Sequence, residues 1–150
     1  MEKLTITSDE TVEVTINDSG FSIKLNPLDI DFPLKLQETL EEINHLEEKL
    51  KEKLKAIDKG KDTDQGLLTT YTREKLLLLR DFNNECGELV DKLFGAGMVQ
   101  AAFNGANYLG MYNDLFTSLT PVIDKVYGDS KAIMERFKAK YTKGDNDILK

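Results

Sequence analysis

The chain reads as a mainly α-helical α+β domain: a small N-terminal antiparallel β-hairpin, a long antiparallel helix pair, and shorter C-terminal helices. Three observations predict it. Within the first 26 residues apolar side chains alternate with polar ones, the period of a strand with one buried face. Over Leu36–Ile57 and again over Tyr71–Leu93 they fall mostly on one helical face, the pattern of an amphipathic helix. After Phe94, glycine-bearing turns bracket short apolar pieces, each long enough for a single helix.

The hairpin is carried by Val12, Val14 and Ile16 alternating with Glu13 and Thr15, then Asn17-Asp18-Ser19-Gly20, then Phe21, Ile23 and Leu25. Asn, Asp, Ser and Gly are turn residues because they bond their own backbone or accept positive φ. Leu4 and Ile6 are candidates for a third strand. A two-stranded hairpin is marginal alone, so its apolar face requires a cover. Asn26-Pro27 ends the sheet region, residues 1–26.

Asp31-Phe32-Pro33 opens the helical region, residues 31–141, with the Asp31 side chain as cap and proline in the first turn. Leu36, Leu40, Ile43, Leu46, Leu50, Leu54 and Ile57 then form a narrow seam of average step 3.5, with Glu47 interrupting it and Glu47 four before Lys51; such spacing resembles a coiled-coil face. Residues 58–66 carry no apolar side chain and read as a mobile loop. A second long helix is expected from about Thr70 to Phe94, with Tyr71, Leu78, Leu79, Phe82, Cys86, Leu89, Val90 and Leu93 inward against the first helix.

A short helix, Met98–Phe103, lies between turns at Gly95, Gly97 and Gly105. The next helix follows Asn107, with Leu109, Tyr112, Leu115, Phe116, Leu119, Val122, Ile123 and Val126 on one face. Pro121 has no N–H and crowds the preceding turn, which predicts a kink or break near 117–120. A last helix is expected after Asp129-Ser130 with Ile133, Met134, Phe137 and Tyr141 inward, and residues 142–150 read as a flexible tail. At 150 residues this is one domain rather than two.

Composition narrows the function classes. The 27 acidic and 20 basic residues give a net charge of −7, unsuited to a nucleic-acid backbone. Cys86 is the sole cysteine, so no internal disulfide or CxxC zinc pair is available, and the chain suits a reducing compartment. The N-terminus lacks the apolar core of a signal peptide, and the longest apolar run, Leu76–Leu79, is bounded by Lys75 and Arg80. The expectation is a cytoplasmic protein that neither enters nor crosses a membrane.

Catalysis finds few candidates. His45, the one histidine, sits between Asn44 and Leu46 on a charged helix with no local nucleophile, which fits a surface residue better than a general base. Cys86 falls on the inward stripe, where a free thiol acts as a small apolar side chain. The spacing of Asp58, Asp62 and Asp64 is not that of a calcium loop. Gly95-x-Gly97 follows a helix rather than a strand, so it reads as a left-handed helix end with close packing, not a dinucleotide motif. The expectation is a non-enzyme with no cofactor and no metal.

Apolar surface remains. Phe94, Phe103, Tyr108, Met111, Tyr112, Leu115 and Phe116 are more apolar side chains than one face of a small helix needs. The core is the favoured place for such a stripe; a groove for an amphipathic helix or a second subunit is the alternative.

Phe94-Gly95-Ala96-Gly97, then Phe103-Asn104-Gly105-Ala106-Asn107, then Tyr112, Phe116, Leu119, Pro121 and Ile123 resemble the C-terminal part of small siphophage tail assembly chaperones. There FG-x-G, F-x-G-x-N and Y-x3-F-x2-L-x-P-x-I recur in that order. The likeness covers the last third of the chain and its general layout. It implies a protein that coats the helical tape measure protein in the host cytoplasm, yields it to tail tube protein subunits, and self-associates. It also implies that the aromatic residues above contribute the client surface. The other reading from the residues is a structural or adaptor protein of a phage particle or assembly, oligomerising through its hairpin and long helix.

Overall fold

The computed structural model describes residues 2–4, 11–27, 29–57 and 64–127. Strands β1 (Val12–Thr15) and β2 (Ser22–Leu25) pair antiparallel, with Val14 opposite Ile23. The turn is closed by Ile16 N–H donating to the Phe21 carbonyl at 2.9 Å, with Asn17 at φ 51 and Gly20 at φ 81. Ile16, Ile23 and Leu25 are buried, Val14 is half-buried and Val12 is 42% exposed, so the chain itself covers most of the hairpin's apolar face. Leu4 is exposed and belongs to no strand; Ile6, its expected companion, lies outside the described residues.

Helix α1 (Asp31–Ile57) begins where the sequence indicates, but its cap differs. The Asp29 carboxylate, not that of Asp31, accepts from a free N–H, that of Asp31 itself, at 2.9 Å. Asp31 is already helical, and its charge opposes the positive end of the helix dipole. The expected Glu47–Lys51 pair forms at 3.4 Å on an exposed face, where such a pair contributes a few tenths of a kcal/mol.

The end of the loop expected over residues 58–66 is ordered. Asp64–Gln65 (β3) pairs antiparallel with Leu68–Thr69 (β4) around Gly66 and Leu67, and Gly66 at φ 68 makes the two-residue turn possible. Residues 58–63 lie outside the described residues. The ladder delivers Thr69, whose hydroxyl accepts from Thr72 N–H at 3.1 Å and caps α2 (Thr70–Phe94). Phe32 at the start of α1 meets Phe94 at the end of α2, with ring centroids 5.8 Å apart, so the two helices run antiparallel as expected.

Short α3 (Met98–Phe103) and α4 (Met111–Tyr127) complete the described chain. Pro121 does not break α4. It costs the helix one backbone bond, a loss of about 3 kcal/mol in isolation. Phe116, Leu119, Ile123, Val126 and Tyr127, on both sides of it, are buried in one core, and each such side chain contributes about 1.5–3 kcal/mol. Packing therefore outweighs the proline. The helix also starts later than its apolar spacing suggests: Leu109, expected on the inward stripe, precedes α4 and is exposed.

The core lies at one end of the helix pair, where the hairpin, the start of α1, the end of α2, α3 and α4 meet. Full burial on α1 stops at Leu40, and on α2 it begins only at Asn83. Among the described residues, the rest of the pair extends from this core as a two-helix arm. The expected helix with Ile133, Met134, Phe137 and Tyr141, and the tail 142–150, lie outside the described residues.

Candidate functional site

The sequence-indicated residues gather around the α2–α3–α4 junction, which is built from backbone conformations that side chains disfavour. Gly95 has φ 118 and ψ 149, a region almost reserved for glycine. Its φ is positive, as the expected helix end requires, and Gly97, at φ 99 and ψ −7, is the residue in the αL region. Both pack against Phe21 of the hairpin, and a Cβ on Gly97 would stand 3.4 Å from the Phe21 ring. Gly105 is also at positive φ, 82°, but no neighbour lies within 4 Å of where its Cβ would be; its role is the turn alone.

Helix α3 is only six residues long, too short to persist without help at both ends. The Asp91 carboxylate accepts from Val99 N–H at 2.9 Å and serves the first turn. At the other end, the Asn17 side-chain amide donates to the carbonyls of Ala101 and Ala102, both at 3.0 Å. The hairpin turn thereby closes a helix 84 residues later.

The loop from α3 to α4 is held from beneath by Asn83, 8% exposed on the inner face of α2. Its amide donates to Asn107 Oδ1 at 2.6 Å and to the Tyr108 carbonyl at 3.1 Å. Met111 N–H returns to the same carbonyl at 3.3 Å. So fixed, the loop turns Tyr108 and Leu109 outward, 44% and 80% exposed. Phe103, half-buried, meets Tyr108 edge-on at 6.0 Å and Tyr112 at 5.5 Å.

The seven aromatic and apolar candidates therefore divide. Met111, Tyr112, Leu115 and Phe116 are buried core side chains, Phe94 and Phe103 are half-buried against that core, and Tyr108 alone is exposed. In the folded chain the buried four are out of a partner's reach unless α4 moves. Leu109, assigned by spacing to the inward stripe, joins Tyr108 on the surface.

Titratable groups in the core are held neutral. Burial, with Glu85 and Glu47 adding repulsion, pushes the Cys86 thiol up to about 12. Burial, then Cys86 and Asp91, pushes the Tyr112 hydroxyl up to about 12. Burial and Asp29 raise Tyr127 further, and its hydroxyl has no hydrogen-bond partner among the described residues. A thiol held this way is not a nucleophile at neutral pH. His45 is exposed. Among the described residues no three His, Cys, Asp or Glu side chains converge as a metal site, and no helix is long and apolar enough to cross a membrane.

Asn17, Asn83 and Asp91 escape a reading by apolar period. Asn83 alone left a signal: a polar residue on the stripe between Phe82 and Cys86 requires a buried partner. Comparison with protein-family models, with curated proteins and with solved structures finds no match to this chain.

Proposed function

We propose that this chain is a non-catalytic tail assembly chaperone of a siphophage-like virus, acting in the host cytoplasm on the helical tape measure protein. A tape measure helix free of its tube exposes apolar faces and aggregates; a folded partner that covers them keeps it soluble until tube subunits take over. The observation that carries the reading is the outward pair Tyr108–Leu109, presented on a loop fastened to Asn83 and backed by Phe103. An apolar pair fixed by a rigid scaffold is suited to binding, and it lies between the second and third of the three motifs that carry the family resemblance, residues 103–107 and 112–123. The hairpin buries Ile16, Ile23 and Leu25 in the chain's own core, which favours this reading over an adaptor assembled through that hairpin.

Coexpression tests it. A tape measure protein that is insoluble alone should be recovered in a soluble complex with the wild-type chain. Tyr108→Ala/Leu109→Ser should leave it in the pellet. Equal solubility with and without the chain would defeat the proposal.

A further inference from the structure

The arm of α1 and α2 beyond the core has two properties that point to one occupant. Its apolar side chains are incompletely covered: Leu50, Leu54, Ile57, Leu77, Leu78 and Leu79 are only half-buried and lie outside the core cluster, and Leu76 is 48% exposed. Two helices cover only one side of each other's stripe, which four-helix bundles resolve by adding a second pair.

Its charge is also divided at one level in both helices. On α1, residues 31–48 hold six acids and one base, whereas residues 49–57 hold four lysines and one acid. On α2, residues 70–80 hold three bases and one acid, and residues 81–94 hold four acids and one lysine. Measured from the Phe32–Phe94 contact at about 1.5 Å per residue, the boundary at residue 48 lies about 24 Å along α1 and that at residue 81 about 20 Å along α2. The arm is thus acidic next to the core and basic towards its tip.

We infer that two copies of this chain pair arm against arm, antiparallel, about a two-fold axis near the level of Glu48 and Asp81. That sense lays the basic tip of each arm on the acidic base of the other, whereas parallel pairing would set like charges together. The register around residue 48 also brings residues 39–48 of one α1 beside 49–57 of the other, so Ile43, Leu46, Leu50 and Leu54 of both copies gain a cover. Pairing through the arms shows in the oligomeric state of the chain alone, so it stands or falls without the client.

Sedimentation equilibrium at about 100 µM and low salt should show a dimer, weakened at least about tenfold by molar salt. Lys49→Glu/Lys53→Glu/Lys55→Glu should be monomeric, as should Glu41→Lys/Glu42→Lys/Glu48→Lys, each with unchanged circular dichroism. Their equimolar mixture should restore a heterodimer. Leu76→Glu, at an exposed position, should also weaken the dimer. A monomeric wild type, a dimer indifferent to either charge reversal, or a mixture that stays monomeric would overturn the inference.

Discussion

Gly87 lies within α2 and is buried, and replacing it with alanine probes how α4 sits on that helix. In an exposed helix, Gly→Ala adds about 0.8–1 kcal/mol of stability. Here a Cβ would stand 2.6 Å from the Tyr112 hydroxyl oxygen, with Val99 at 3.6 Å and the Tyr112 ring carbon at 3.7 Å. The tyrosine cannot swing aside freely, because its ring is set edge-on against Phe103 at 5.5 Å and is buried. Overpacking of this kind costs about 1–3 kcal/mol, so the net effect of Gly87→Ala is a loss of up to about 2 kcal/mol. At about 2–4 °C per kcal/mol for a domain of this size, Tm should fall by a few degrees. Removing the oxygen reverses the sign. In a Tyr112→Phe background the nearest remaining Tyr112 contact is the ordinary 3.7 Å one, and Gly87→Ala should then raise Tm by a similar amount. The four proteins make a double-mutant cycle read by thermal melts. If Gly87→Ala stabilises the wild type, Tyr112 does not press on α2 at this point and the described α2–α4 packing is wrong.

Three further outcomes follow from the geometry. Asn17→Gly keeps the positive φ of the turn but loses both bonds to α3, and should cost about 1–2 kcal/mol with faster hydrogen exchange in residues 98–103; unchanged exchange would show that the hairpin does not hold α3. Tyr127→Phe removes a hydroxyl without a partner among the described residues while keeping the ring stacked 5.7 Å from Phe32, so Tm should hold or rise, since an unpaired buried polar group is unfavourable; a marked fall would mean that the hydroxyl is bonded. Because the folded state raises the Cys86 thiol from its ordinary 9.0 to about 12, stability should be full below pH 9 and decline as pH climbs towards 12, where the unfolded chain sheds the proton that the folded one keeps. Cys86→Ala should flatten the first part of that decline, and identical pH profiles would contradict it.

Periodicity located most of this fold. The hairpin, both long helices and α3 stand where the spacing of Val12–Leu25, Leu36–Ile57, Tyr71–Leu93 and Met98–Phe103 puts them, because each has an apolar face that only one element type can bury. Local rules failed where a distant contact decides. Pro121 should interrupt an isolated helix, but Phe116 and Ile123 share one core across it. Leu109 fits the stripe of α4 by spacing, yet Asn83 bonds to Asn107 and Tyr108 and holds the loop open until Met111. The candidate surface was legible as a stretch rather than as residues: spacing groups Tyr108 with Tyr112 and Phe116, and only the packing separates the exposed side chain from the buried ones. Asn17 at the end of α3 was not legible, since nothing near Asn17 in sequence marks its target.

The central claim is that the outward Tyr108–Leu109 pair binds a helical client while the rest of the stripe serves the core. Its most direct measurement is the affinity of Tyr108→Ala/Leu109→Ser for a tape measure segment, by calorimetry, beside the Tm of the same protein. An apolar hot spot at the centre of an interface contributes about 2 kcal/mol or more, roughly a thirtyfold change in Kd, whereas exposed side chains leave stability within about 0.5 kcal/mol. The account predicts Kd weakened at least about thirtyfold with Tm unchanged. An unchanged Kd in a folded variant would contradict it.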